Sequence, residues 1–361
     1  MGSIATRSSS TVWRANGPFL IILVTYCSLA TTAGQYWGIP VYPYLYYHAV
    51  FLFGFGVTTI AVSYLSIRVM LTRPEHLWTA LKESIVDEFQ LPARLLIGAP
   101  LIVTIPFFFS VFTGFKAGIS RIVPFYADIY LIGVDRWLFG SDAWVLLNTI
   151  FGQPVLTFGL NFAYHLWFVV MCIVLFCALF SIAGHRRRSQ YLVSFLLVWS
   201  VIGNLAATVF SSVGPAFLLP FYADHTFDGL MDYLRTADQS FPIWALDVQE
   251  RLLTDAGNSS QRLGSGISAF PSLHVAVAAL NAIYFWRSGF LLRWASICFL
   301  AIIEIGSIHL GWHYAADGIA SLIITPVLWR VADWPYVWNA RLLKSEWVEK
   351  LATIGFARSK S

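Results

Sequence analysis

Charge is what this chain has least of. Asp, Glu, Lys and Arg make up 12% of its 361 residues, against 58% hydrophobic residues, where a soluble protein carries about 25% charged residues. So little charge cannot cover globular surfaces in water, which excludes a soluble enzyme and a disordered chain. The net charge of +4 is small and its basic residues are dispersed, so there is no nucleic-acid footprint. Cysteine is equally scarce. Cys27, Cys172, Cys177 and Cys298 all lie in apolar runs and read as small core residues; neither a disulfide framework nor a zinc pattern is present. No internal repeat or low-complexity tract interrupts the chain. What remains is a polytopic membrane protein.

A membrane span takes about 20 apolar residues. Stretches of that order run at about 17–35, 45–71, 94–114, 157–183, 191–211, 272–287, 294–312 and 314–331. The sixth is short, and the last two are nearly continuous. Their hydrophobicity is all-round rather than alternating, which predicts helices and not a barrel. The expected fold is all-α: a polytopic bundle of about eight transmembrane helices. Residues 1–92 would form two N-terminal helices and an amphipathic interfacial segment, Glu75 to Leu91. Residues 93–332 would form a six-helix catalytic core with a long non-cytoplasmic loop at 211–271, and 333–361 a cytoplasmic tail. The segment from Phe125 to Phe158 mixes aromatics with Asp128, Asp135, Arg136 and Asp142 and reads as interfacial.

With the N-terminus in the cytoplasm, 17 of the 23 basic residues fall on cytoplasmic segments and 6 on the opposite side. The positive-inside rule favours that orientation, with both termini cytoplasmic. The run His185-Arg186-Arg187-Arg188 is its firmest anchor.

Ionisable groups at membrane depth are costly and mark functional sites. Here they converge. His274 opens the sixth stretch, His309 and His313 close the seventh, and Asp317 opens the eighth, all at the non-cytoplasmic face. A tight turn around Arg287 to Arg293 makes stretches six and seven antiparallel neighbours, so His274 can meet His313. If the helix continues through them, His313 and Asp317 share a face, four residues apart. A carboxylate there holds the imidazole in one tautomer. His313 is then a candidate nucleophile toward phosphorus, and His274 a candidate general acid or base. Before His274 the glycines of Gly264-Ser265-Gly266 give way to Pro271 at a helix start. Ser272 stands at that start, where free backbone N–H groups can hold a phosphate. Steps of four from His309 to His313 to Asp317 would also suit a metal, but no His-Glu-x-x-His arrangement accompanies them.

Phe270-Pro271-Ser272-Leu273-His274 and His309-Leu310-Gly311-Trp312-His313-Tyr314-Ala315-Ala316-Asp317 resemble the second and third signature motifs of the type 2 phosphatidic-acid phosphatase superfamily. The Pro-Ser-Leu-His form, and His-Tyr-x-x-Asp without the usual arginine, are most similar to its sphingolipid synthase branch, the inositol phosphorylceramide synthases and their relatives. The resemblance spans about Ala93 to Trp329. It implies a metal-independent, cofactor-free lipid phosphotransferase with His313 as nucleophile, Asp317 as its partner and His274 as leaving-group acid. Its partners would be a phospholipid donor, a lipid hydroxyl acceptor such as ceramide, and the bilayer.

Two phosphate-clamping arginines of the superfamily are missing from their usual places. Lys116 is followed after six residues by Val123-Pro124, with Arg121 two positions early, and Gly306-Ser307 stands where the third motif begins Ser-Arg. Lys116, His309, Ser272 and Arg262 are therefore the candidate substrate-binding residues. Glu304, deep in the seventh stretch, reads as a paired helix-packing group. The acidic loop 211–271 reads equally as a lid over the site or as solvated chain. A phosphatase using water is the alternative within the fold; a proton-coupled transporter is the alternative outside it, although no pair of broken spans in matching halves supports it.

Overall fold

In a computed structural model, residues 2–182, 184–258 and 261–338 are described. They form helices and connecting segments, with no strand among them. The principal helices are α1 (Gly2–Tyr36), α2 (Tyr47–Leu71), α3 (Leu91–Ala117), α4 (Asp128–Phe139), α5 (Ala143–Phe151), α6 (Pro154–Leu179), α7 (His185–Leu197), α8 (Asp228–Asp238), α9 (Trp244–Gly257), α10 (Leu273–Phe285), α11 (Phe290–His309) and α12 (Ala315–Trp338). A π-helical stretch, Val198–Ala206, continues α7 toward Val209. Of the expected tail, only residues up to Trp338 are described.

Seven helices are long and apolar enough to cross a membrane. The sixth expected span, α10, has only 13 residues, about 20 Å at 1.5 Å per residue, against a hydrocarbon core of about 30 Å. The missing length is made up by the non-helical chain from Gly264 to Pro271. Irregular backbone is tolerated at such depth only where protein or a cavity surrounds it. Here Ser265 and Ile267 are buried, and Gly266 and Ser268 line a cavity.

The amphipathic segment at 75–91 folds as a short helix, Leu77–Glu83, followed by the π-turn Ser84–Glu88. Arg68 at the end of α2 pairs with Glu88 at 2.6 Å, which ties the segment to that helix.

The arginine run ties helices together. Arg186 pairs with Asp333 of α12, with Nε 2.7 Å from Oδ1. Arg187 donates to the Tyr284 carbonyl at the end of α10. Arg188, only 1% exposed, donates to the carbonyls of Ala178 and Leu179 at the end of α6, and to Ala15 O and Asn16 Oδ1 of α1. Three consecutive residues therefore fasten α7 to four other helices.

The cysteines correct one expectation. Cys27 is buried, but Cys177 and Cys298 are exposed on outward helix faces and Cys172 is half-buried. In a membrane protein the outward surface is itself apolar, so a small apolar residue need not be in the core.

Candidate active site

The site is built where α10, α11 and α12 meet α6. The helix does not continue from His309 to Asp317, as the four-residue spacing had required. It ends at His309 and restarts at Ala315, with Gly311 at φ +76° in the turn, a conformation glycine adopts without strain. His313 and Asp317 meet nevertheless. His313 Nδ1–H donates to Asp317 Oδ2 at 3.0 Å, and the same oxygen accepts the Tyr314 N–H at 3.1 Å. Asp317 is the third residue of α12, so its carboxylate reaches back to the residue before the helix, one half of a capping box. Local helix-start geometry thus fixes the carboxylate that orients the imidazole. With Nδ1 on Asp317, Nε2 is the nitrogen left for chemistry, and the ring also hydrogen-bonds the Ala269 backbone.

Two further aspartates hold this turn. Asp135 of α4 accepts the N–H groups of Ala315 and Ala316, both at 2.9 Å, and so caps the first turn of α12. Such a cap is worth about 1–2 kcal/mol. Asp128, 2% exposed, accepts from Tyr314 OH, Tyr222 OH and the amides of Val213 and Gly214. Both aspartates were read from sequence as part of an interfacial segment. Asp128, Leu131, Ile132 and Asp135 form the buried face of α4, while Ile129, Tyr130 and Trp137 are exposed. The available signal was two carboxylates seven residues apart, on the helix face opposite its exposed apolar residues.

His274 is the second residue of α10. Ser272 caps that helix, its Oγ accepting the Val275 N–H, and its own N–H donates to the Asp317 carbonyl. Ser321 Oγ–H reaches both the Ser272 and Asp317 carbonyls, locking α10 to α12. Pro271 stands just before the cap, after a cis peptide bond with Phe270, rather than inside the helix. The His274 ring stacks on Tyr164 at 4.5 Å and packs against Trp167 at 4.2 Å, and Trp167 Nε1–H donates to the His274 carbonyl. The centroids of His274 and His313 are 6.3 Å apart, which leaves room for a reacting group between them.

Both histidines open onto a cavity of about 550 Å³. Lys116, at the end of α3, lines it as well. So does Arg251 of α9, where sequence reasoning had selected Arg262 of the same loop instead. The other cations of that side are engaged elsewhere. Arg121 donates to the Gly38 carbonyl, Arg136 pairs with Asp142, Arg235 with Asp232 and Arg262 with Asp255. Arg262, a candidate substrate-binding residue, is therefore not in the cavity wall, and Ser272 serves as a helix cap. His309 also faces away from His313. Fully buried, it bonds Thr157 Oγ1 at 2.9 Å and packs against Phe151 and Tyr233. The 309–313–317 steps therefore do not converge on one point, and no group of three His, Cys, Asp or Glu among the described residues is placed to hold a metal ion.

The 211–271 loop is folded over the site. Asn161 of α6 anchors α9 by accepting the Ala245 N–H and donating to the Pro242 carbonyl. Gln249 donates to the Leu310 carbonyl in the histidine turn. Val248, Arg251 and Leu252 of α9 line the cavity. At its edge Tyr46 OH meets Thr113 Oγ1 and accepts the Gly264 N–H. Glu304 lies against Gly318, whose missing side chain makes room for the carboxyl; its Oε2 has no hydrogen-bond partner among the described residues. Burial, followed by the facing Lys116 ammonium, holds His313 below the ordinary histidine range, which keeps the imidazole neutral and nucleophilic at neutral pH.

No curated protein and no solved structure matches the chain. The family profile described as PAP2 superfamily matches residues 129–331, more than half of the sequence, including both histidine motifs and Asp135 of α4, but not Asp128 or Lys116. The chain belongs to the PAP2 superfamily, whose members act as phosphatases or phosphotransferases on lipid-like substrates.

Proposed function

We propose that the protein is an integral-membrane lipid phosphotransferase of the sphingolipid synthase type. It would move a phosphorylated head group, inositol phosphate-like, from a glycerophospholipid to a lipid hydroxyl such as that of ceramide. In the first half-reaction His313 Nε2 attacks phosphorus and the bond to the diacylglycerol oxygen breaks. His274, which takes up a proton as the anionic phosphate enters the site, gives it to that oxygen. In the second half-reaction the acceptor hydroxyl loses its proton to His274 and attacks the phosphohistidine, which releases His313 unchanged. Asp317 holds the His313 tautomer and stabilises the positive charge that develops on the ring. Lys116 and Arg251, which make no ion pair among the described residues, stand in for the two missing arginines as phosphate-binding cations. No metal or cofactor takes part in this reading.

The observation that carries the reading is the surroundings of the nucleophile. His313 is 7% exposed and faces a cavity whose wall is dominated by apolar side chains under a folded loop. Such a site disfavours water as acceptor and suits a lipid hydroxyl. The distribution of basic residues supports placing it at the outer or lumenal leaflet.

Purified protein in mixed micelles tests this directly. Head-group transfer that requires an added lipid alcohol is the expected result. Release of inorganic phosphate or head-group phosphate at the same rate without the alcohol would instead establish the phosphatase reading, with water as acceptor.

A further inference from the structure

The cavity is far longer than a phosphate site requires. On α6 its wall runs from Tyr164 to Leu179, and on α3 from Lys116 back to Ile102. At 1.5 Å per residue these are about 22 and 21 Å of helix. One leaflet of the hydrocarbon core is about 15 Å deep, half of about 30 Å. The polar residues gather at the histidine end; toward the other end the wall is Ile102, Phe168, Met171, Leu175 and Phe176. The third side is α2, which presents Tyr46, Ala49, Val50 and Phe53, a stripe at helical spacing. α2 otherwise faces outward: only 6% of its apolar window is buried.

An aromatic pair narrows the far end of this cleft. Phe53 of α2 meets Phe176 of α6 edge to face, with centroids 5.4 Å apart. Phe176 also packs onto Gly54, where a β-carbon would lie 3.0 Å from its ring. Glycine at 54 thus lets the two helices approach at the far end. Phe53 of α2 lies outside the matched residues 129–331 and Phe176 within them, so the pair joins an N-terminal helix to the matched core.

We propose that this cleft is the binding site for one hydrocarbon chain of the lipid substrate, held extended, with the Phe53–Phe176 pair setting its maximum length. The inference rests on the lipid-phosphotransferase reading for the identity of the head group, but not for the presence of the chain. A chain arriving from the bilayer gains little hydrophobic energy, because lipid tails are as apolar as the cleft. Discrimination must then come from steric fit, which makes a narrowed end an effective selector.

Two readouts separate this inference from the reaction. The first is binding alone. A long-chain alkyl phosphate bearing a photoreactive group at its chain end, added to the whole protein, should crosslink beside Phe53 and Phe176. In a Phe53→Ala variant the crosslinks should extend past that pair. Crosslinks confined to outward-facing residues of α2 would overturn the proposal, whatever the activity. The second is selectivity. Leu175→Trp fills the cleft above the pair and should lower the dipalmitoyl-to-dioctanoyl ratio of kcat/KM about tenfold, whereas Phe53→Ala should raise the ratio for longer chains. Equal losses at both chain lengths in both variants would overturn the length selector. Wild-type protein that crosslinks in the cleft but turns over no phospholipid would defeat the phosphotransferase reading and leave the chain site standing.

Discussion

At the arginine end of the bundle, each guanidinium of Arg186, Arg187 and Arg188 meets carbonyl or carboxylate oxygens drawn from other helices. At the histidine end, Lys116 and Arg251 face a cavity, and Asp317 Oδ1, His309 Nδ1 and Glu304 Oε2 have no hydrogen-bond partner among the described residues. The three arginines of α7 are satisfied within the fold, whereas ionisable atoms around the cavity end are left without a protein partner among the described residues. Buried polar groups are normally paired, and unpaired ones at membrane depth are kept where they act. The difference teaches which charges hold the fold and which await a ligand.

Substitutions at the two ends should therefore separate stability from turnover. His313→Ala should reduce turnover at least about a thousandfold by removing the nucleophile, while the melting temperature in detergent stays near that of the parent. A parallel fall in melting temperature would make His313 a structural residue. Asp317→Asn preserves shape but unsettles the tautomer, and should lower kcat by about a hundredfold or more. Arg188→Met leaves the carbonyls of Ala15 in α1 and of Ala178 and Leu179 at the end of α6 without that donor. It should cost about 3–5 kcal/mol of stability, read by thermal unfolding, with kcat of the surviving protein preserved. Loss of kcat without loss of stability would erase the contrast between the ends.

Asp135→Ala tests the border between the two classes, because Asp135 is structural yet holds the histidine turn. Removing the cap should cost about 1–2 kcal/mol and also lower kcat, with KM moved less. The smallest expected effect concerns pH. Burial and Lys116 both push the His313 pKa down, so the neutral nucleophile persists to lower pH than a free histidine, whose pKa is about 6.5. The acid limb of kcat/KM should lie below that value, and Lys116→Met, by removing one of the two causes, should move the limb upward. A limb unchanged in Lys116→Met would place the ammonium too far from His313 to matter.

Much of this was legible in the residue order. All-round apolar runs gave the helices, because a membrane helix has no polar face to interrupt the pattern. His274, His313 and Asp317 stood out because ionisable groups are rare at that depth. What could not be read had physical reasons. The break between α11 and α12 follows from the conformation of Gly311, which a pattern of apolar residues does not record. The roles of Asp128 and Asp135 depend on α4 folding back against α12, a contact between positions about 180 residues apart. Arg251 and Arg262 are equivalent by type; Arg251 is carried on α9 toward the cavity, whereas Arg262 lies in the chain after that helix and pairs with Asp255. The long loop looked equally like solvated chain because most of its acidic residues, among them Asp232, Asp238, Asp247 and Glu250, are exposed on helices whose inner faces cover the site.

The central claim is that His313 carries the phosphorus between donor and acceptor, and one measurement addresses it most directly. Protein incubated with a donor radiolabelled at phosphorus, without an acceptor alcohol, is quenched in alkali and the label is mapped by peptide. The account predicts an alkali-stable, acid-labile label on the peptide containing His313, absent in His313→Ala and discharged when a lipid alcohol is added. Label on another residue, or full turnover with the donor in His313→Ala, would contradict it.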